Sequence, residues 1–157
     1  MKTLVSVIVA FFMLSFCTAS CSKDGNKTPA QNNSESNSNP STTKMKITIG
    51  AAIFTATLYD NPSATAFKSK LPLAIDMKEL NGNEKYFDLQ SPLPRNESLG
   101  GNIKNGDLAL YGTNTLVFFY KNFTTSYSYT KLGYVDNPTG LAAALGTGNR
   151  IVKFENN

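Results

Sequence analysis

Lys44-Met45-Lys46-Ile47-Thr48-Ile49, a glycine at position 50, and then Phe54-Thr55-Ala56-Thr57-Leu58 form the stretch that decides how this chain folds. In both segments apolar side chains recur at every second residue, the period at which a strand turns one face to a core and the other to water. Gly50 supplies the turn, so the pair reads as a β-hairpin. The same kind of pattern returns at residues 73–80, 85–89, 107–111, 115–120, 131–135 and 150–154. Together these make about eight short strands.

Two brief helices interrupt them. Asn61-Pro62 has the chemistry of a helix start, a capping amide followed by a proline whose missing N–H is harmless in the first turn. Ala64, Phe67 and Leu71 then fall on one face. Asn137-Pro138 repeats the device, with Leu141 and Leu145 one turn apart and Gly146 as a stop. Many short strands with two short helices predict a mainly β domain, a closed or nearly closed eight-stranded barrel whose ends the helices plug. Closure also removes sheet edges that would otherwise pair with other chains.

The domain occupies residues 44–157 and has room for one modest core without disulfides. It holds 12 Lys or Arg against 9 Asp or Glu, scattered rather than clustered, and no basic run with interleaved aromatics suits a phosphate backbone. Nucleic acid is therefore not an expected partner. The chain has no histidine and no tryptophan, and both cysteines lie near the amino terminus. Clusters for zinc or other transition metals are thus missing from the domain, and no cofactor is expected. Hydroxyl nucleophiles lack a histidine base, which leaves only a lysine to serve as one. Carboxylate pairs such as Asp76 and Glu79 read as surface charges, and Gly146-Thr147-Gly148, without a phosphate-binding lysine, reads as a turn.

The amino terminus reads as an address. Lys2 precedes an apolar run from Leu4 to Phe16, about 13 residues, short of the roughly 20 that span a bilayer as a helix. Thr18-Ala19-Ser20-Cys21 resembles the lipobox of bacterial lipoprotein signal peptides, in which small residues precede a cysteine that is diacylated, by chains such as palmitate, before cleavage on its amino side. The resemblance implies a signal peptide over 1–20, lipid attachment at Cys21, and placement in the bacterial cell envelope, the outer membrane above all. Thr18 departs from the aliphatic residue usual there. Residues 22–43, SKDGNKTPAQNNSESNSNPSTT, are too polar to form a core and read as a leash of roughly 25 Å mean reach.

Within the domain, Ile53-Phe54-Thr55-Ala56-Thr57-Leu58-Tyr59-Asp60-Asn61-Pro62, Asn81-Gly82-Asn83-Glu84-Lys85-Tyr86, Gly106-Asp107-Leu108-Ala109-Leu110-Tyr111-Gly112, Leu116-Val117-Phe118-Phe119-Tyr120 and Ser126 to Gly133 follow one another in an order that resembles the bacterial cyclophilin-like family. That resemblance implies an eight-stranded barrel with two helices, related in architecture to peptidyl-prolyl isomerases, and implies no activity for this branch. A cyclophilin isomerase sets an arginine, a glutamine and a histidine around its proline pocket. Here Arg95 and Arg150 fall outside any matching strand, and Gln90 begins a loop.

The distinctive composition is aromatic, running from Tyr111 to Tyr129 and broken by Ser and Thr. Aromatic faces with hydroxyl rims suit peptides or sugars. Alternate members of 116–120 must face the core, so two readings stand: most of these rings are core, or Tyr111, Phe119, Tyr127 and Tyr129 rim a cleft. Residues 123–130 read as a loop or wet edge strand. Residues 90–104 read as a long connection in which Arg95 is a candidate for an anionic group. The sequence thus points to a monomeric, membrane-anchored, non-catalytic binding module for a peptide, glycan or envelope protein. The alternative is a residual prolyl isomerase or envelope chaperone.

Overall fold

A computed structural model describes residues 43–157. The signal segment, Cys21 and the leash up to residue 42 lie outside the described residues. From there the chain runs β1 (Thr43–Ile49), β2 (Ala52–Leu58), α1 (Pro62–Lys68), β3 (Leu73–Leu80), β4 (Glu84–Asp88), β5 (Ser98–Ile103), β6 (Asp107–Tyr111), β7 (Thr115–Phe119), β8 (Phe123–Val135), α2 (Leu141–Leu145) and β9 (Arg150–Asn156).

Eight of these strands close a ring in the order β1, β9, β3, β4, β7, β6, β8, β2 and back to β1, every pair antiparallel. The period-two segments become this ring because one face of each meets the interior. In β1, Met45, Ile47 and Ile49 are buried while Lys44, Lys46 and Thr48 point outward. Gly50 makes the expected turn in the left-handed region, at φ 58°. The ninth strand, β5, lies outside the ring and pairs only with the first half of β8. The long connection expected at 90–104 therefore contains a strand, and the wet segment 123–130 is its partner.

Helix α1 starts where Asn61-Pro62 predicts, the Asn61 side chain accepting from the Ala64 amide at 2.8 Å. Phe67 is fully buried and meets Phe154 edge-on, whereas Leu71 lies past the helix end and packs at the margin of the core. The second helix begins later than Asn137-Pro138 suggests. The Asn137 side chain accepts from the Thr139 amide in a local turn, Gly140 enters the left-handed region at φ 83°, and only then does the helix run from Leu141. Leu141 and Leu145 are both buried, as their spacing requires.

One end of the barrel holds a fully buried lysine. Lys85 points inward from β4 and spends its three donors on Glu79 Oε2 at 2.5 Å, the Gly148 carbonyl at 2.6 Å and the Gly146 carbonyl at 3.1 Å. Tyr120 donates to the other Glu79 oxygen at 2.7 Å, and its ring lies 5.3 Å from the ammonium. Burial raises the Glu79 pKa, but the Lys85 and Tyr120 hydrogen bonds outweigh it and leave the carboxyl below its ordinary value. Glu79 is thus part of an internal network rather than a surface charge, and Gly146-Thr147-Gly148 is the turn that completes it. A buried cation with every donor used avoids the cost of an unpaired one.

Ring closure depends on the β2–β8 seam, where Leu58 faces Gly133 and Ala56 faces Val135. A Cβ on Gly133 would run into the Thr57 carbonyl oxygen and the Leu58 Cα, backbone atoms that have nowhere to move. Replacement of Gly133 by alanine is expected to destabilise the barrel by roughly 2–3 kcal/mol, the scale of overpacking against fixed atoms. Urea unfolding of the two proteins measures it, and equal midpoints would contradict the account.

Candidate functional site

The strands that build the far wall of the barrel have two buried faces. In β7, Leu116 and Phe118 belong to the barrel core, while Val117 and Phe119 join a second cluster with Ile103, Ala109 and Tyr129 on the outer face. The pairing of β4 with β7 sets Glu84 beside Phe119, Tyr86 beside Val117 and Asp88 beside Thr115, all outward. Over this face lies the ribbon of β5 and the first half of β8. Phe123, Thr125, Tyr127 and Tyr129 alternate along β8 and turn the same way, toward the sheet.

Between ribbon and sheet is a cleft of about 420 Å³. The ribbon gives it Phe123, Thr125, Tyr127 and Tyr129; the sheet and the β3–β4 turn give it Asn81, Asn83, Glu84, Tyr86, Asp88, Tyr111 and Val117. The rings are ordered by contact with one another. Tyr111 meets Tyr129 at 5.7 Å and Tyr127 at 6.2 Å between centroids, the latter at 90°, and Tyr129 meets Phe119 edge-on at 5.4 Å. Gly100 lets the ribbon pack this closely, since a Cβ there would meet Thr125 and Tyr129 side chains and the Tyr127 carbonyl.

Of the residues named from sequence, the structure brings Tyr111, Tyr127 and Tyr129 to the cleft, with Tyr111 and Tyr127 exposed and Tyr129 largely buried in its wall. Phe119 is not at the rim. It is fully buried beneath Tyr129, because its partner Glu84 and the overlying Phe123 and Tyr129 rings leave no opening above it. Arg95 is elsewhere, an exposed side chain 3.9 Å from Glu97 that does not line the cleft. Phe119 is thus a core ring rather than a rim ring, while Arg95 stands apart from this cleft. Sequence reasoning missed Glu84, Asn83 and Tyr86. The available signal was the outward period of β4, which places 84, 86 and 88 on one face.

Electrostatically the cleft is acidic. Glu84 is 7% exposed, and burial pushes its carboxyl above the ordinary 4.5, with the charge of Glu79 adding to the effect. Burial also pushes the Tyr129 hydroxyl up to about 12, with Glu84 contributing. Asp88 stands near the opening and accepts from Thr115 Oγ1 at 2.7 Å. Among the described residues no group of three His, Cys, Asp or Glu is placed to hold a metal ion.

Two measurements follow. Phe119→Ala is expected to cost about 3–5 kcal/mol as a core truncation, and Tyr127→Ala about 1 kcal/mol or less, because its ring is 63% exposed. Equal losses in thermal or urea unfolding would contradict the division into floor and rim. For Glu84 the folded state holds a proton more readily than the unfolded chain, so this group favours folding only as pH falls through its raised folded pKa. Glu84→Gln, which fixes the neutral form, is expected to be more stable than the parent at pH 7, with the gap closing toward the unfolded carboxylate range in acid. A gap that stays constant with pH would overturn the assignment.

The comparisons with known proteins bear on the fold. The solution structure of a hypothetical protein from Archaeoglobus fulgidus superposes with a TM-score of 0.54 at 19% identity, covering 74% of this chain and 95% of that one. No curated protein matches the chain. A model of the cyclophilin-like family matches residues 47–155, from β1 to β9 and so across the whole barrel, and on that match the chain belongs to the cyclophilin-like family.

Proposed function

We propose that this protein is a lipid-anchored module of the bacterial cell envelope, most readily its outer membrane, whose barrel binds a ligand in the cleft between the β5–β8 ribbon and the outer sheet without catalysing a reaction. The observation that carries the reading is the cleft itself. Rigid rings with hydroxyl tips bury area at small entropic cost, and the mixture of apolar faces and polar groups is the make-up of a recognition site. Its chemistry suits a peptide, a glycan or a segment of an envelope protein.

The anchor rests on Thr18-Ala19-Ser20-Cys21. Two or three acyl chains, at about 0.8 kcal/mol per buried CH₂, make attachment lasting where one chain holds only marginally. Labelling with a fatty-acid analogue is expected to mark the parent chain and to miss Cys21→Ser; equal labelling of both would refute acylation at that residue.

Binding is tested on peptide and glycan arrays with the parent and a Tyr111→Ala/Tyr127→Ala variant. Signal that is lost in the variant supports the cleft as the site, and a parent chain that binds nothing overturns the proposal. A proline-peptide isomerisation assay on the same preparation is expected to give the uncatalysed rate; acceleration abolished by the same double substitution would favour a residual isomerase instead.

A further inference from the structure

The charges of the cleft are one-sided. Two carboxylates line it, Glu84 and Asp88, and no lysine or arginine does. Lys78, opposite Tyr86 on β3, shares the outer face without lining the cleft. Lys85, next to Glu84 in sequence, points the other way and spends all three donors inside the barrel. Asp88 is engaged by Thr115. Glu84 is different: at 7% exposure, no donor among the described residues reaches its carboxylate. Beside it, Asn83 Oδ1 is buried without a hydrogen-bond partner. The Asn83 oxygen is closed off from the cleft, but a carboxylate nine-tenths buried, lining the cleft and without a protein donor, has acceptor capacity that a donor-bearing cation would fill.

The rings around this carboxylate suit the same guest. Tyrosine faces attract a cation lying within about 6 Å, the more so as water is excluded. Tyr86, Tyr111, Tyr127 and Tyr129 all line the space that Glu84 faces. At about 420 Å³ the cleft is at the small end of ligand pockets, with room for one long side chain and its flanking backbone.

We propose that the cleft takes an organic cation, an ammonium or guanidinium group on an apolar stem, with the Glu84 carboxylate as counter-ion and acceptor and the tyrosine rings around the stem. The cation belongs either to a lysine or arginine side chain of a peptide or to a free small amine. This inference rests on the reading of the cleft as a ligand site and names its substrate class.

The test uses the full chain, isotope-labelled, titrated with three probes: an acetylated tripeptide amide with lysine at its centre, the same tripeptide with norleucine in place of lysine, and benzylamine, protonated at neutral pH. Shifts of Tyr127, Tyr129 and Glu84 amide resonances read the site. The lysine peptide is expected to bind at least tenfold more tightly than the norleucine peptide, and Glu84→Gln to remove that difference while leaving norleucine binding unchanged. Tyr127→Leu, at an exposed position, is expected to weaken both cationic probes whether or not the Glu84 variant folds. Benzylamine binding as tightly as the lysine peptide identifies a small amine as the source; tighter peptide binding identifies a side chain. Equal affinity for the lysine and norleucine peptides overturns the cation proposal and leaves the cleft a binding site. No shift with any probe overturns the cation proposal, and the cleft as a binding site then stands or falls on the peptide and glycan arrays.

Discussion

Strand β8 serves two sheets at once, and the rest of the structure depends on that division. Its second half runs between β6 and β2 and closes the ring; its first half leaves the wall, pairs with β5 and overhangs the outer face. The handover occurs at Tyr129 and Thr130, where Tyr129 faces the cleft and Thr130 is buried with its hydroxyl accepting from the Asn96 amide at 2.9 Å. A single continuous strand therefore fixes the register of the barrel and the height of the ribbon above it. Neither can slip by one residue without turning the aromatic side chains of β8 to the wrong face.

The period of two also explains how one wall carries two unrelated chemistries. Along β4, Lys85 faces the interior and finds acceptors at the barrel end, while Glu84, Tyr86 and Asp88 face outward. The inward lysine is satisfied and rigid. The outward glutamate is largely buried and has no hydrogen-bond partner among the described residues. Adjacent residues thus fall on opposite sides of the wall, one holding the barrel end together and the other lining the cleft that we propose as the ligand site.

Most of the ring strands were legible because each buries one face, so alternation survives in the sequence; β7, buried on both faces, was legible as a short continuous apolar run, and Asn61-Pro62 because its cap is local. Strand β5 was not, since Ser98-Leu99-Gly100-Gly101 carries two glycines and a register shift, and its pairing is set by Thr125 and Tyr129 some thirty residues away. The start of α2 was obscured by a local turn that borrows the same Asn-Pro signal. In the cleft the tyrosines were visible as composition, but Phe119 and Glu84 exchanged roles. A phenylalanine between apolar neighbours and a glutamate beside a glycine turn give no hint that the first is roofed over and the second desolvated. Only the cross-strand pair that joins them reveals it.

The order of the strands around the ring carries one more consequence. β1 sits between β2 and β9, with Met45 opposite Asn156 and Ile47 opposite Phe154, so the earliest described strand has the last one as its neighbour. Loop entropy must be met before such a contact rewards it, which makes folding slow relative to a chain of local pairings. A partly emerged chain can form the first hairpin but has no interior to enclose, and it stays open until β9 is free. The topology thus makes the first and last described strands mutually dependent: the ring cannot close before the sequence through β9 is present.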